Sequence, residues 1–200
     1  MDFSDFAQLP ANLQAVVTYQ ELSSQQPLFH QHEPSNAIFA VKTGRIRLLH
    51  YTESGQAIEH YLVNAGEVFA EVVLFTDVYV CSAIADEPTC VMIFPKQEFW
   101  SALQQSFSLS AAFMEQLATR LHMTKVMLEL RGIRSARERV LHYLRFSADP
   151  TERTVLLEQP LKNIAQNLGI SPEVLSRALT QLEADGAIAR NKRRIQLINE

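Results

Sequence analysis

The sequence predicts an α+β fold in three parts: a β-rich N-terminal domain, one long helix, and a C-terminal winged helix-turn-helix. Three observations carry this. Short apolar segments between turn residues fill the stretch from Tyr19 to about Pro95. Residues 107–131 contain no Gly or Pro and repeat apolar residues at helical spacing. Residues 160–186 read as two short helices joined by a tight turn, and an alternating segment follows them.

The chain has 200 residues, enough to bury a core in one or two domains. Hydrophobic residues at 47% and charged residues at 20% place it among soluble globular proteins and exclude a disordered chain. The apolar runs near residues 72–75 and 88–94 are too short to span a membrane. The N-terminus lacks the basic start and apolar core of a signal peptide. Two cysteines, Cys81 and Cys90, make no disulfide framework, and the expected compartment is the cytoplasm.

The net charge of −4 is unevenly spread. Residues 1–100 hold 4 Lys/Arg against 12 Asp/Glu, whereas residues 101–160 hold 8 against 6 and residues 161–200 hold 6 against 4. A confined basic region on an acidic chain suits a sequence-selective nucleic-acid binder with a second task elsewhere.

Residues 11–17 read as a short helix. The candidate strands are Leu28–His30, Ala37–Val41, Arg45–Tyr51, Ala57–Val63, Val78–Ala85 and Thr89–Phe94. Alternation is clearest in Arg45-Ile46-Arg47-Leu48 and Val78-Tyr79-Val80-Cys81. Turn signals fall at Glu33-Pro34-Ser35-Asn36, Thr43-Gly44, Glu53-Ser54-Gly55 and Asn64-Ala65-Gly66. Such spacing predicts one barrel or sandwich.

From Lys96 the texture turns helical. Residues 96–103 give a turn or two, and 107–131 give the long helix. On it Met114, Leu117, Leu121, Thr124 and Leu128 follow the 4-3-4-3 spacing of a coiled-coil seam. The seam predicts a parallel homodimer; the alternative is that it packs on the β-domain. Arg131-Gly132-Ile133-Arg134 reads as a hinge, and residues 135–147 as a further helix with Val140, Leu141, Tyr143 and Leu144 inward. A loop from Ser147 to Glu158 holds a possible strand at Val155–Leu157.

Leu161, Ile164, Ala165 and Leu168 recur at helical spacing, and Gly169 ends that helix. Ser171 is a good N-cap, with Pro172 at the first helical position. The second helix turns Val174, Leu175, Ala178, Leu179 and Leu182 inward and leaves Glu173, Ser176, Arg177 and Thr180 on its other face. A polar face on the second helix is what the DNA major groove requires; a hairpin that only packs is the plainer alternative. Ile188–Arg190 and Arg194–Ile198 alternate around Asn191-Lys192-Arg193, a small wing with a basic tip.

This order of parts resembles the cyclic-AMP receptor and fumarate–nitrate regulator (CRP/FNR) family of bacterial transcription factors. The sharpest match is Leu168-Gly169-Ile170-Ser171-Pro172-Glu173-Val174-Leu175-Ser176-Arg177 with Leu182-Glu183-Ala184-Asp185-Gly186-Ala187-Ile188. A partial match, Gly66-Glu67-Val68-Phe69-Ala70-Glu71-Val72-Val73-Leu74-Phe75, is similar to the family's phosphate-binding cassette. The resemblance implies a β-roll or jelly-roll sensor domain of cyclic-nucleotide-binding type over residues 1–106, a dimerisation helix over 107–131, and a winged helix-turn-helix DNA-binding domain over 132–200. It implies base reading by Glu173, Ser176 and Arg177, with backbone contacts from Ser171, Thr180, Arg190, Lys192 and Arg193. It places an effector pocket at Phe69, Ala70, Glu71, Cys81 and Ser82, with Thr124 descending from the long helix.

The departures from the family pattern narrow the function. Cyclic-nucleotide binders of the family carry Gly-Glu where this chain has Ala70-Glu71, and Arg-Ser-Ala where it has Cys81-Ser82-Ala83. A buried phosphate needs a cation, best an Arg fork, so cyclic AMP is not expected to bind. Iron–sulfur sensing needs four thiolates, and Cys81 with Cys90 are too few. Haem or metal at His30, His32 or Cys81 stays open; against it, His32 stands where relatives often have a turn Gly, and His tolerates positive φ. Glu-x-x-Ser-Arg resembles the fumarate–nitrate branch, whose half-sites contain TTGA. The cyclic-AMP branch has an extra Arg where this chain has Pro172, and relatives often have a capping Thr where it has Pro160.

The leading expectation is a dimeric regulator reading an inverted repeat in double-stranded DNA, with no membrane partner. A haem- or redox-sensing relative and a sensory module without DNA binding are the alternatives. An activator would also need a surface for RNA polymerase, and no residue pattern marks one. No Ser/His/Asp order, metal-spaced cluster or phosphate-cradling loop points to an enzyme.

Overall fold

The computed structural model describes residues 2–157 and 160–198, apart from the side chain of His60. Glu158, where the predicted loop ends, lies outside them. The chain forms two compact units, Met1–Ala118 and Thr119–Glu200.

The first unit holds the helix α1 (Ala11–Gln14), eight strands, the helix α2 (Lys96–Gln105) and the start of α3 (Phe107–Gly132). The strands are β1 (Thr18–Leu22), β2 (Pro27–Phe29), β3 (Ala37–Thr43), β4 (Arg45–Tyr51), β5 (Ala57–Asn64), β6 (Val68–Phe69), β7 (Ser82–Ala85) and β8 (Thr89–Pro95). They form two antiparallel sheets, ordered β1-β8-β3-β6 and β2-β7-β4-β5. Both sheets contribute to one core, which includes Phe29, Phe39, Ile46, Val63, Phe69 and Phe94. The run Ala37–Val41 is buried at every position, as a strand covered on both faces must be. In β4 Ile46 and Leu48 point inward, and a register shift against β5 lets Leu49 be buried too.

Gly44 makes the β3–β4 turn possible. Its φ is +82°, and a Cβ there would lie 2.4 Å from Thr89 Oγ1. Buried Thr89 occupies that space usefully: its hydroxyl accepts from Arg45 N and donates to Arg45 O, both at 3.0 Å.

The expected strand Val78–Ala85 needs correction. Val78–Cys81 alternates in burial but joins no sheet; only Ser82–Ala85 is a strand. Tyr79 instead bonds through its backbone to the turn after β2, donating to Glu33 O and accepting from His32 N. That turn is irregular, so pairing stops at a single bridge between Pro34 and Val78. Conversely, β1 escapes the sequence reading. Thr18-Tyr19-Gln20-Glu21-Leu22 is a sheet-edge strand that buries only Leu22, so it shows no alternation.

The long helix α3 has 26 residues, about 39 Å at 1.5 Å per residue. Leu109 and Phe113 are buried in the first unit, and Leu117 packs half-buried against the same core. Gln116 accepts from the Val68 amide at 3.1 Å. Met114, Leu121 and Leu128 are exposed at 58, 56 and 71%. Gly132 is the last helical residue, so the break in helical texture falls at residues 133–135.

The second unit contains α4 (Ala136–Ser147), β9 (Thr154–Leu156), α5 (Leu161–Asn167), α6 (Pro172–Ala184), β10 (Ile188–Asn191) and β11 (Arg194–Leu197). Its sheet is ordered β10-β11-β9. Leu130, Val140, Leu144, Ile164, Leu168, Leu179, Leu182 and Ile195 are among the residues of its own core.

Candidate functional site

Local sequence builds the helix-turn-helix. Gly169 takes a φ of +65° after α5, which a side chain would resist. Ile170 N then donates back to Ala165 O at 3.0 Å, closing the turn. Ser171 caps α6, its hydroxyl accepting from Val174 N at 3.3 Å. Leu175, Ala178, Leu179 and Leu182 bury one face of α6, and Glu173, Ser176, Arg177 and Thr180 are exposed on the other.

Glu173 is pre-set for hydrogen-bond acceptance. A bond from the Ser171 hydroxyl, then its own backbone N–H, then the charge of Arg177 hold its carboxyl below the ordinary range. It is a carboxylate at neutral pH. Ser171 is therefore occupied twice within the cap.

The wing is fastened to α6. Arg190 donates from Nε to Glu183 Oε2 at 2.8 Å and from its backbone N–H to Glu183 Oε1 at 3.1 Å. Its Nη2 also reaches Thr180 Oγ1 at 3.4 Å. Arg190 holds the Glu183 carboxyl below its ordinary range. Thr180 and Arg190 thus face each other and Glu183, whereas Lys192 and Arg193 are exposed at the wing tip, Lys192 at a φ of +55°. Glu183 braces the wing, a part that the resemblance does not assign to it. The signal was there: a carboxylate in the last turn opposes the helix dipole and calls for a cation. Arg137 adds a second tie, from Nε to Asp185 at the end of α6 at 2.9 Å.

In the β-domain, Phe69 of the candidate effector pocket belongs to an aromatic cluster. Phe69 stacks on Phe39 with centroids 5.3 Å apart, and Tyr79 on Phe29 at 3.9 Å. Ala70 adopts a left-handed φ of 63° just before the turn of 3-10 helix Glu71–Leu74, the conformation suited to the family's Gly. Cys81 is buried, and burial, then the Glu71 charge, push its thiol up to about 11. Ser82 is buried with its hydroxyl accepting from Gln31 N at 2.9 Å. Thr124 belongs to the second unit, where its exposed hydroxyl donates to Arg120 O at 2.8 Å.

The first unit holds four cations, Lys42, Arg45, Arg47 and Lys96, and each is engaged. Lys42 sits 4.7 Å from the Tyr19 ring centroid. Arg45 pairs with Asp86 and Glu87, each at 3.1 Å, and Arg47 with Asp86 at 3.2 Å. Lys96 donates to Thr76 O at 2.8 Å.

His30 and His32 do not share a strand face, because the strand ends at Phe29. His32 sits in the following turn at a φ of 71°. With His50, Tyr51, Thr52 and Glu53 they line a surface groove of about 530 Å³, with Ser82 beside them. Among the described residues no three His, Cys, Asp or Glu side chains gather as a metal site. Among the same residues no helix is long and apolar enough to cross a membrane.

Known proteins match both halves. Residues 19–106 match the cyclic nucleotide-binding domain and residues 138–200 the Crp-like helix-turn-helix domain. The chain is 27% identical over 168 residues to the cyclic AMP receptor protein of Thermus thermophilus, covering 82% of this chain and 76% of that one. It is 24% identical over 178 residues to the transcriptional activator protein anr of Pseudomonas aeruginosa, covering 86% and 73%. Its fold is similar to that of FixK2 from Bradyrhizobium japonicum, with a TM-score of 0.69 at 23% identity, covering 92% of this chain and 93% of that one. With a β-rich cyclic-nucleotide-type domain, a long helix and a Crp-like helix-turn-helix in this order, the chain belongs to the CRP/FNR family of transcription regulators.

Proposed function

We propose that the chain is a dimeric regulator that reads a TTGA-like inverted repeat without needing a cyclic nucleotide. The observation that carries this is the exposed face of α6. There a pre-ionised Glu173 stands one turn from Arg177, over a buried row that fixes both. Arg suits guanine O6 and N7, and Glu accepts from cytosine N4. Lys192 and Arg193 at the wing tip supply phosphate contacts, and RNA polymerase is a partner wherever the regulator activates.

Independence from cyclic nucleotides is supported by the β-domain's charges. Its four cations already have partners, and Cys81 stands where the family's cyclic-nucleotide binders carry Arg. Dimerisation is supported by Met114, Leu121 and Leu128, large apolar residues exposed in one row. Random-site selection with the purified protein tests the DNA reading: a consensus without an inverted repeat overturns it. Isothermal titration tests the effector reading, and a micromolar constant for cyclic AMP or cyclic GMP overturns that.

A further inference from the structure

Two arginines meet at the far end of α5. Arg131, in the last turn of α3, donates from Nε to Asn167 O at 3.0 Å, with Nη2 at 3.5 Å from Gln166 O. Its side chain runs beside Gly169, where an added Cβ would lie 3.7 Å from its Cγ. Arg139, on α4, donates from Nη1 to Leu168 O at 2.8 Å. Its other two nitrogens, Nε and Nη2, donate to Ile133 O at 3.0 and 2.6 Å.

These targets are chemically apt. The last carbonyls of a helix lack intrahelical donors and form the negative end of its dipole. A guanidinium presents several donors in a fixed plane, so it can satisfy two carbonyls and set their direction. The two arginines come from opposite sides of the break at residues 133–135, and one of them also grips Ile133 within it. Apart from them, α3 meets the rest of the second unit through the link at residues 133–135 and apolar packing that includes Leu130, which carries no hydrogen-bond direction.

We propose that Arg131 and Arg139 are positioning residues for DNA recognition: by clasping the C-terminal carbonyls of α5 they fix the angle at which the helix-turn-helix leaves the long helix. The proposal rests on the reading of an inverted repeat. In a two-fold dimer that angle sets the distance between the two recognition helices, and so the half-site spacing that binds. Arg131 contributes through direction, since its bonds are exposed and each adds little to stability.

The test uses full-length protein, Arg131→Ala and Arg131→Lys, with duplexes carrying the selected half-sites at the native spacing and with one or two base pairs inserted. Circular dichroism and sedimentation confirm fold and mass. The wild type should prefer its native spacing, and Arg131→Ala should bind that duplex about tenfold more weakly, the factor expected when the fitting angle is populated only about one tenth of the time. Its affinity for the altered duplexes should change less, so the preference flattens, and Arg131→Lys should restore part of it. Amide exchange without DNA should speed up across residues 131–139 in Arg131→Ala. An unchanged spacing preference in Arg131→Ala overturns the proposal while the DNA reading stands. A wild type that selects no repeat overturns the DNA reading and the positioning role together, and exchange then decides the clasp by itself.

Discussion

Glu183 and Arg190 join the end of α6 to β10 through both a side-chain and a backbone donor of the arginine. An arginine held this way braces the wing against α6.

The pairing separates two roles by experiment. If Arg190 only braces the wing, Arg190→Ala and Glu183→Ala should weaken DNA binding by similar amounts, and the double variant no more than either. Were Arg190 a phosphate contact, its loss would reduce the salt slope by about one unit, and Glu183→Ala would tighten binding. Titrations at several salt concentrations read the difference. The sign of the pH effect follows from the depressed carboxyl. An unfolded Glu titrates near 4.5 and the folded Glu183 lower, so the tie is complete above 4.5 and is lost as pH falls through the folded value. The protection of residues 188–191 against exchange, relative to the intrinsic rate at each pH, should therefore fall only in acid.

The base-reading assignment predicts unequal effects within α6 and the wing. Arg177→Ala should lose roughly 1–3 kcal/mol on the selected site and relax its guanine preference, whereas Lys192→Ala should weaken all sequences alike. Competition binding against single-base variants of the site checks this. A consensus unaltered by Arg177→Ala would refute the assignment.

Leu121 is 56% exposed in the single chain, so Leu121→Glu should leave the protomer folded. In the proposed dimer it is buried, and losing a buried Leu costs about 2–5 kcal/mol at each copy. The variant should sediment as a monomer and lose specific DNA binding in the same step. An unchanged dimer would remove this seam from the interface.

Cys81 should behave as an inert thiol. With its titration pushed up to about 11, it should resist alkylation at pH 8 until the protein unfolds. The linkage runs to the alkaline side: an unfolded thiol ionises near 9.0, so stability is complete below that and declines as pH rises towards 11. Mass spectrometry after timed alkylation checks the first, and urea melts at high pH the second. Prompt labelling of Cys81 in the native protein would restore it as a candidate redox group.

What the sequence made legible was local. Gly169, Ser171 and Pro172 specify the helix-turn-helix within four residues, and both helices fold as read. Arg45–Tyr51 alternates because one face meets the core. The rest depends on meetings between distant segments. Val78–Cys81 has a strand's pattern but meets a turn, not a strand. His30 and His32 have strand spacing, but their strand ends one residue earlier. Arg131 reads only as one flank of a hinge and Arg139 carries no signal of its own; only the fold brings them to carbonyls near residue 167.

The exposed row on α3 carries a further consequence. Met114, Leu121 and Leu128 recur every seven residues, while a straight helix completes two turns in slightly more than seven. The row therefore slips around the helix by about 20° with each repeat. Two straight copies would lose contact along it; copies that wind around each other with left-handed chirality keep it. The handedness of the proposed dimer is then already written in one protomer, in the phase between its apolar row and its backbone.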